Sequence, residues 1–237
     1  MRGEIVQQTP MRKAIARRMS ESKREAPHFY VSSEIRMDRV EAELAAVARE
    51  HPEQRVTATA ALVRAAAISL RREPRLNRVW TEEGLIDAAE VNVGVAIALD
   101  DGLIAPALLA ADGLDLLATA AALGDLVARA RAQRLRPAEL TDATFTLSNL
   151  GMFEVSSFAA IVTPPQIAIL ATGRTTPRLL PADGGFEAVP VMTATLSADH
   201  RAVDGADAAR FLTSFKRLLE EPGQLLENAD AAEVVTS

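Results

Sequence analysis

The sequence predicts an α+β fold in which a mixed, mostly antiparallel sheet is flanked by helices. Strand-like and helix-like patterns follow one another without the regular alternation of a parallel α/β fold. With 237 residues, of which 49% are hydrophobic and 24% charged, the chain is long enough to bury one sizeable core. No repeat or internal linker interrupts it, so we predict a lead-in over residues 1–10 and a single domain over residues 11–237.

Apolar side chains at helical spacing predict five helices, separated by proline and glycine. The first is strongly basic. Asp38 is the predicted N-cap of the second, and Thr57 opens the third, whose nearly apolar composition predicts burial. The fourth is acidic at its start and rich in arginine at its end, which complements the helix dipole. The predicted helices cover residues 11–25, 39–50, 57–70, 114–134 and 207–220.

Alternating or β-branched runs predict the strands. The run VNVGVAIAL reads as one strand that ends at an Asp100-Asp101-Gly102 turn. Pro106 in the next run predicts an edge strand or a bulge. A short hairpin is predicted over residues 79–86. The remaining predicted strands cover residues 29–35, 91–99, 103–109, 143–150, 166–173 and 189–200.

Composition excludes several classes of function. The sequence has no cysteine, which rules out disulfides, a cysteine nucleophile and thiolate metal ligands, and which fits a reducing compartment. The first 19 residues carry no apolar stretch of the signal-peptide kind, so we expect a cytoplasmic protein. A net charge of −6 disfavours nucleic acid as a partner, and no apolar run is long enough to cross a membrane.

The three histidines are the candidates for acid–base chemistry near neutral pH. His28 begins a strand and is expected to be structural, whereas His51 is expected to be an exposed helix end. Neither has acidic neighbours at metal-ligand spacing, so we predict no metal site. His200 follows an apolar strand in the segment SADHRAVDG, at a strand–loop boundary suited to a general base. The alternative is a hydrogen-bonded structural histidine.

Ser148 is the second candidate, at the end of the predicted strand ATFTLSNL and just before Gly151. A hydroxyl there suits a nucleophile or a donor to an oxyanion. No G-x-S-x-G motif surrounds it, which disfavours a hydrolase nucleophile. The alternative is a serine that merely closes the corner between strand and turn.

Residues 199–205, DHRAVDG, resemble the DHRxxDG signature of the acyltransferase component of 2-oxo acid dehydrogenase complexes. Other blocks of that family match in the same order along nearly the whole chain. They are MRKAIARRMSES, APHFYVSSEI, VNVGVAIALDDGLIAPAL, FTLSNLGMF and TPPQIAIL. The resemblance implies a fold like that of chloramphenicol acetyltransferase. It also implies that an acyl group moves between dihydrolipoamide and coenzyme A. The branch of the family that the sequence resembles most transfers acetyl.

The resemblance further implies a homotrimer, in some relatives built into a larger cage, with active sites at subunit interfaces. Each site would combine His200 as the base with Ser148 of the next subunit, and Asp204 belongs to the family's active-site set. Asp199 and Arg201 are expected to be structural partners. None of the three lysines has the setting of a lipoyl attachment site, so the lipoyl group is expected on a separate domain or chain. The resemblance assigns no coenzyme A contacts to this chain.

One position departs from the family pattern: Glu154 stands where glycine is common. If glycine supplies a positive φ there, glutamate predicts a strained or altered turn. Two other functions remain open. The chain could be a non-catalytic scaffold of a multienzyme complex, or a stand-alone acetyltransferase for a small hydroxyl acceptor that uses the same base.

Overall fold

The structure, a computed structural model, describes residues 3, 6–99 and 102–227. The Asp100-Asp101 part of the predicted turn and residues 228–237 of the predicted domain lie outside these ranges. Its helices are α1 (Pro10–Glu25), α2 (Asp38–Glu50), α3 (Ala58–Arg72), α4 (Leu116–Arg131), α5 (Pro137–Thr141), α6 (Gly205–Glu220) and α7 (Gly223–Leu226). Its strands are β1 (His28–Arg36), β2 (Arg78–Thr81), β3 (Gly84–Asp87), β4 (Val93–Val95), β5 (Ile97–Leu99), β6 (Gly102–Ile104), β7 (Ala107–Leu108), β8 (Phe145–Asn149), β9 (Ala168–Thr172), β10 (Thr176–Ala182) and β11 (Gly185–Asp199).

A mixed sheet forms the centre of the molecule, with strand order β1-β11-β9-β8-β4-β7 and with β10 paired to β11. The β9–β8 and β8–β4 pairs are parallel, and the other pairs are antiparallel. Two small hairpins, β2–β3 and β5–β6, lie outside this sheet. The predicted α+β class with a mostly antiparallel sheet is confirmed.

The core lies on one face of the sheet, under α3 and α6. Leu62 and Leu70 of α3 and Phe211 of α6 are fully buried there, and the rings of Phe211 and Phe145 lie 5.4 Å apart. Because side chains alternate along a strand, Phe145 of β8 points into this core and Ser148 belongs to the opposite face. No helix among the described residues has both the length and the apolar character needed to span a membrane.

Two predicted helix starts had different outcomes. Thr57 is the N-cap of α3, since its hydroxyl accepts a hydrogen bond from the Ala60 N–H at 3.2 Å. The prediction that Asp38 caps α2 is wrong: Met37 occupies the cap position, and Asp38 is the first helical residue. Its carboxylate binds Arg36 instead, at 3.2 Å, so a local ion pair replaces the expected cap.

The single strand predicted over residues 91–99 is wrong. It divides at Ala96, whose N–H donates to the Leu147 carbonyl at 3.0 Å, so that β4 joins the large sheet and β5 pairs with β6. The strand predicted over residues 103–109 also divides, between β6 and β7, at Pro106. Proline has no N–H for a ladder, but the Pro106 carbonyl still accepts from the Val95 N–H at 2.9 Å.

Candidate active site

His200 lies immediately beyond the end of β11, and its side chain is exposed. Its backbone N–H donates to the Pro27 carbonyl at 3.0 Å, and its ring packs against Phe29 with the two ring centroids 4.6 Å apart. Neither ring nitrogen makes a hydrogen bond within the described residues. The backbone of His200 is therefore held, while its ring nitrogens have no partner among the described residues.

The loop around His200 is closed by an ion pair. Asp199 is almost completely buried, and both of its carboxylate oxygens accept from the Arg201 side chain, at 2.7 to 3.1 Å. The same carboxylate accepts from the Arg201 backbone N–H at 3.0 Å. This hydrogen bonding raises the pKa of Arg201. Asp199 and Arg201 are thus structural partners, as predicted, and they fix the backbone on either side of His200.

Asp204 is the N-cap of α6. Its Oδ1 atom accepts from the N–H groups of Ala206 at 2.8 Å and Asp207 at 3.0 Å, while Asp207 returns a hydrogen bond to the Asp204 N–H. These backbone hydrogen bonds, that of Asp207 first, lower the pKa of Asp204. Asp204 is therefore an ionised carboxylate near neutral pH, and it ties the end of the His200 loop to α6.

Ser148 lies near the end of β8, half-buried, beside a cavity of about 490 Å³. Apolar side chains of α1 form one wall of this cavity, and the segment from Ala160 to Gln166 contributes another. A mostly apolar wall with a few polar side chains, Ser148 among them, is typical of a small-molecule site.

The corner after Ser148 is held by Asn149. Its Oδ1 accepts from the Gly151 N–H at 2.8 Å, and its Nδ2 donates to Thr59 of α3 at 3.1 Å. A Cβ on Gly151 would lie 2.9 Å from that Oδ1, so a side chain at this position would push the Asn149 amide aside. The side chain of Asn149 thereby anchors the end of β8, and with it Ser148, to the core helix.

Ser148 and His200 are separated within one chain by two strand spacings across the sheet and by five residues along it. Ser148 pairs with Ala171 of β9, and Ala171 pairs with Thr195 of β11, five residues before His200. From a rise of about 3.3 Å per residue and about 4.8 Å between strands, their Cα atoms lie roughly 19 Å apart. One chain alone therefore does not bring these two residues to a common substrate.

The other two histidines behave as predicted. His28 is structural, because one ring nitrogen contacts the Ala26 carbonyl at 2.8 Å and the other accepts from the Val162 N–H at 3.0 Å. His51 is the C-cap residue of α2, and its side chain is 39% exposed. No group of three His, Asp or Glu side chains in the described part of the chain is arranged to hold a metal ion.

The expected strain at Glu154 is not found. Its φ is not positive, and its carboxylate pairs with Arg174 at 3.2 Å across the turn after β8. Both side chains are largely solvated, so this pair adds little stability. Glutamate is therefore accommodated here without a left-handed backbone.

Gly173 is a constraint that the sequence pattern did not reveal. A Cβ at this position would lie 2.1 Å from the Ser156 carbonyl oxygen, so the backbone of the loop after Ser148 passes directly against it. We expect Gly173→Ala to lower the free energy of unfolding by about 1–3 kcal/mol, measured by chemical denaturation.

The matched control is Gly124→Ala, in the middle of α4, where a Cβ meets no atom within 4 Å. Alanine suits a helix better than glycine, so this variant is expected to gain up to about 1 kcal/mol. A Gly173→Ala chain as stable as the wild type would contradict the close approach at Ser156.

Comparison with known proteins places this architecture in a family. The family described as 2-oxoacid dehydrogenases acyltransferase (catalytic domain) matches residues 2–227. Dihydrolipoyllysine-residue acetyltransferase components of pyruvate dehydrogenase complexes are among the relatives. That of Schizosaccharomyces pombe is 38% identical over 91% of this chain and 46% of its own length, and that of Rhizobium meliloti is 38% identical over 94% and 51%. The chain thus spans about half the length of these curated relatives.

Comparison with solved structures supports the same family. The dihydrolipoamide acetyltransferase of Azotobacter vinelandii, studied for the catalytic roles of a serine, a histidine and an asparagine, superposes with a TM-score of 0.89 at 29% identity, covering 95% of each chain. The cubic core of a pyruvate dehydrogenase multienzyme complex gives 0.90 at 28% identity, again covering 95% of each. Chloramphenicol acetyltransferase, at 0.58 and 13% identity, shares the fold. This chain belongs to the family of 2-oxoacid dehydrogenase acyltransferase catalytic domains.

Proposed function

We propose that this protein moves an acyl group, specifically acetyl, between dihydrolipoamide and coenzyme A, with His200 as the general base. The observation that carries the proposal is the free, exposed imidazole of His200, set in the family's DHRxxDG motif on a loop that an ion pair holds. The names of the relatives, acetyltransferase components of pyruvate dehydrogenase complexes, support acetyl as the group transferred.

The spacing of the candidate residues supports the same assignment. In the Azotobacter vinelandii relative, the serine, the histidine and the asparagine studied for their catalytic roles are separated along the chain as Ser148, His200 and Asp204 are here. The third position differs in chemistry, asparagine there and aspartate here. Both residue types are strong helix N-caps, so either can hold the turn between His200 and α6. We therefore assign Asp204 a positioning role at this turn.

The proposed reaction is a direct transfer between two thiols. His200 removes the proton from the attacking thiol, because the thiolate is the nucleophilic form. The thiolate adds to the thioester carbonyl, and the Ser148 hydroxyl donates a hydrogen bond to the resulting oxyanion. When the tetrahedral intermediate collapses, the second sulfur leaves and takes the proton from His200. No acyl-enzyme is formed, and the histidine ends neutral as it began.

This mechanism requires more than one copy of the chain. Ser148 and His200 are roughly 19 Å apart in a single chain by the strand geometry, so His200 of one copy must meet Ser148 of another. Such a head-to-tail contact closes most simply into a ring, and we propose a homotrimer with three interfacial sites. The cubic core among the structural relatives supports further assembly into a cage.

The proposed partners follow from the same assignment. The lipoyl group would arrive on a separate domain or chain, together with the other components of a 2-oxo acid dehydrogenase complex. Coenzyme A is a substrate in this scheme, and no step uses a metal ion. The absence of cysteine is consistent with a cytoplasmic location.

The decisive experiment is a steady-state assay of the purified chain with acetyl-CoA and free dihydrolipoamide, which follows release of coenzyme A and formation of acetyl-dihydrolipoamide. We expect turnover with dihydrolipoamide and none above background with a panel of small alcohols. Turnover with the alcohols alone would favour a hydroxyl acetyltransferase. A folded assembly that is inactive with acetyl, succinyl and branched-chain donors would favour a scaffold.

A further inference from the structure

We propose that Trp80 is a positioning residue for His200, acting through a cation–π contact with Arg201. This inference rests on the proposed function. The guanidinium carbon of Arg201 lies 4.1 Å from the centre of the Trp80 ring. On its other side, Arg201 holds Asp199, the residue directly before His200, through two side-chain nitrogens. The guanidinium therefore contacts both an indole ring and a buried carboxylate.

Trp80 is itself held at the backbone. It pairs with Leu85 in the β2–β3 hairpin, and its N–H donates to the Pro165 carbonyl at 2.7 Å. The neighbouring Val79 forms a bridge to Gln166. The backbone of Trp80 is thus tied to the body of the molecule and its side chain packs against the core, although the hairpin lies outside the large sheet.

Trp80 adds a second constraint on Arg201 beside the ion pair with Asp199. Only His200 separates Asp199 from Arg201 in the chain, and an arginine side chain has many rotamers. A flat aromatic face restricts the guanidinium to one plane, since cation–π contacts are strongest with tryptophan. The plane of the guanidinium determines how its two nitrogens meet the Asp199 carboxylate. That ion pair in turn positions the backbone that carries the His200 side chain.

The test uses Trp80→Leu, which keeps apolar bulk and removes the aromatic face, and Trp80→Phe, which keeps a weaker one. We expect Trp80→Leu to lower kcat about tenfold and Trp80→Phe to lower it less, with the KM values for acetyl-CoA and dihydrolipoamide unchanged. The melting temperature of each variant is recorded alongside. A wild-type kcat in Trp80→Leu would overturn the inference.

A double-mutant cycle asks whether Trp80 acts through Arg201. In an Arg201→Gln background, Trp80→Leu is expected to cause no further loss of kcat, because its partner is already absent. Additive losses would show that Trp80 acts by another route and would overturn the proposal. A wild-type chain without turnover would instead refute the proposed function.

A second measurement does not depend on turnover. The chain has only three histidines, so the imidazole signals in an NMR spectrum are few and can be assigned by substitution. Trp80→Leu and Arg201→Gln are expected to shift the His200 signal in the same direction and to leave the distant His51 signal in place. An unchanged His200 signal would overturn the inference, whether or not the chain is active.

Discussion

Replacing His200 with alanine is expected to lower kcat for acetyl transfer by about 10²–10⁴-fold, the contribution typical of a general base. The His200 side chain is exposed and makes no hydrogen bond within the described residues, and its ring packs against Phe29, so its removal is expected to disturb the fold little. The assembly is expected to stay intact, with KM nearly unchanged. Steady-state kinetics and sedimentation measure these two quantities on the same preparation.

The matched control for this variant is His51→Ala, which removes an exposed histidine at the end of α2. It is expected to keep wild-type kcat, because that side chain pairs with Glu53 and does not line the cavity beside Ser148. Full activity of the His200→Ala chain would refute the proposed mechanism, and equal losses in the two variants would point to a general effect on folding.

Ser148→Ala is expected to lower kcat by about 10²–10³-fold, the loss measured in another enzyme when one oxyanion donor is removed. KM should change little, because the hydroxyl is proposed to bind the tetrahedral intermediate and not the resting thioester. Ser148→Thr, which keeps a hydroxyl and suits a strand, should retain more activity than alanine. Steady-state values of kcat and KM for the two variants show whether the hydroxyl acts in the transition state or in substrate binding.

A loss confined to KM in the Ser148→Ala chain would contradict the oxyanion role, since it would mean that the hydroxyl holds the substrate equally in the ground state and the transition state. Equal activities of the alanine and threonine variants would contradict it as well. Substitution of serine by alanine next to the apolar cavity carries little steric risk, so a folded protein is expected.

Much of the fold could be predicted because the signals are local. The alternation in β1, the apolar composition of α3 and the amphipathic pattern of α6 each depend on side chains a few residues apart. The division of residues 91–99 could not be predicted in this way. Ala96 donates its N–H to Leu147, a residue distant in sequence, so the break depends on which strand lies beside it. β10 was not predicted, because it contains Pro177 and Pro181 and proline is uncommon inside strands. It pairs with β11.

The candidate site also has a part that could be predicted from the sequence and a part that could not. His200 and Ser148 could be named from the motifs that surround them, and His28 could be set aside. Their separation could not be predicted, because it follows from the strand order β11-β9-β8 and from the direction of each strand. The contact between Trp80 and Arg201 has no local signature at all, since it joins a hairpin to a loop far along the chain.

The central claim, that the reaction centre combines His200 of one copy with Ser148 of another, is tested most directly by mixing two inactive chains. His200→Ala and Ser148→Ala chains are co-refolded or co-expressed in equal amounts. Every mixed trimer then contains one site with both residues intact, so about a quarter of wild-type activity is predicted. If the mixture is as inactive as either variant alone, although mass spectrometry shows that mixed trimers have formed, the site does not lie between copies and the account is contradicted.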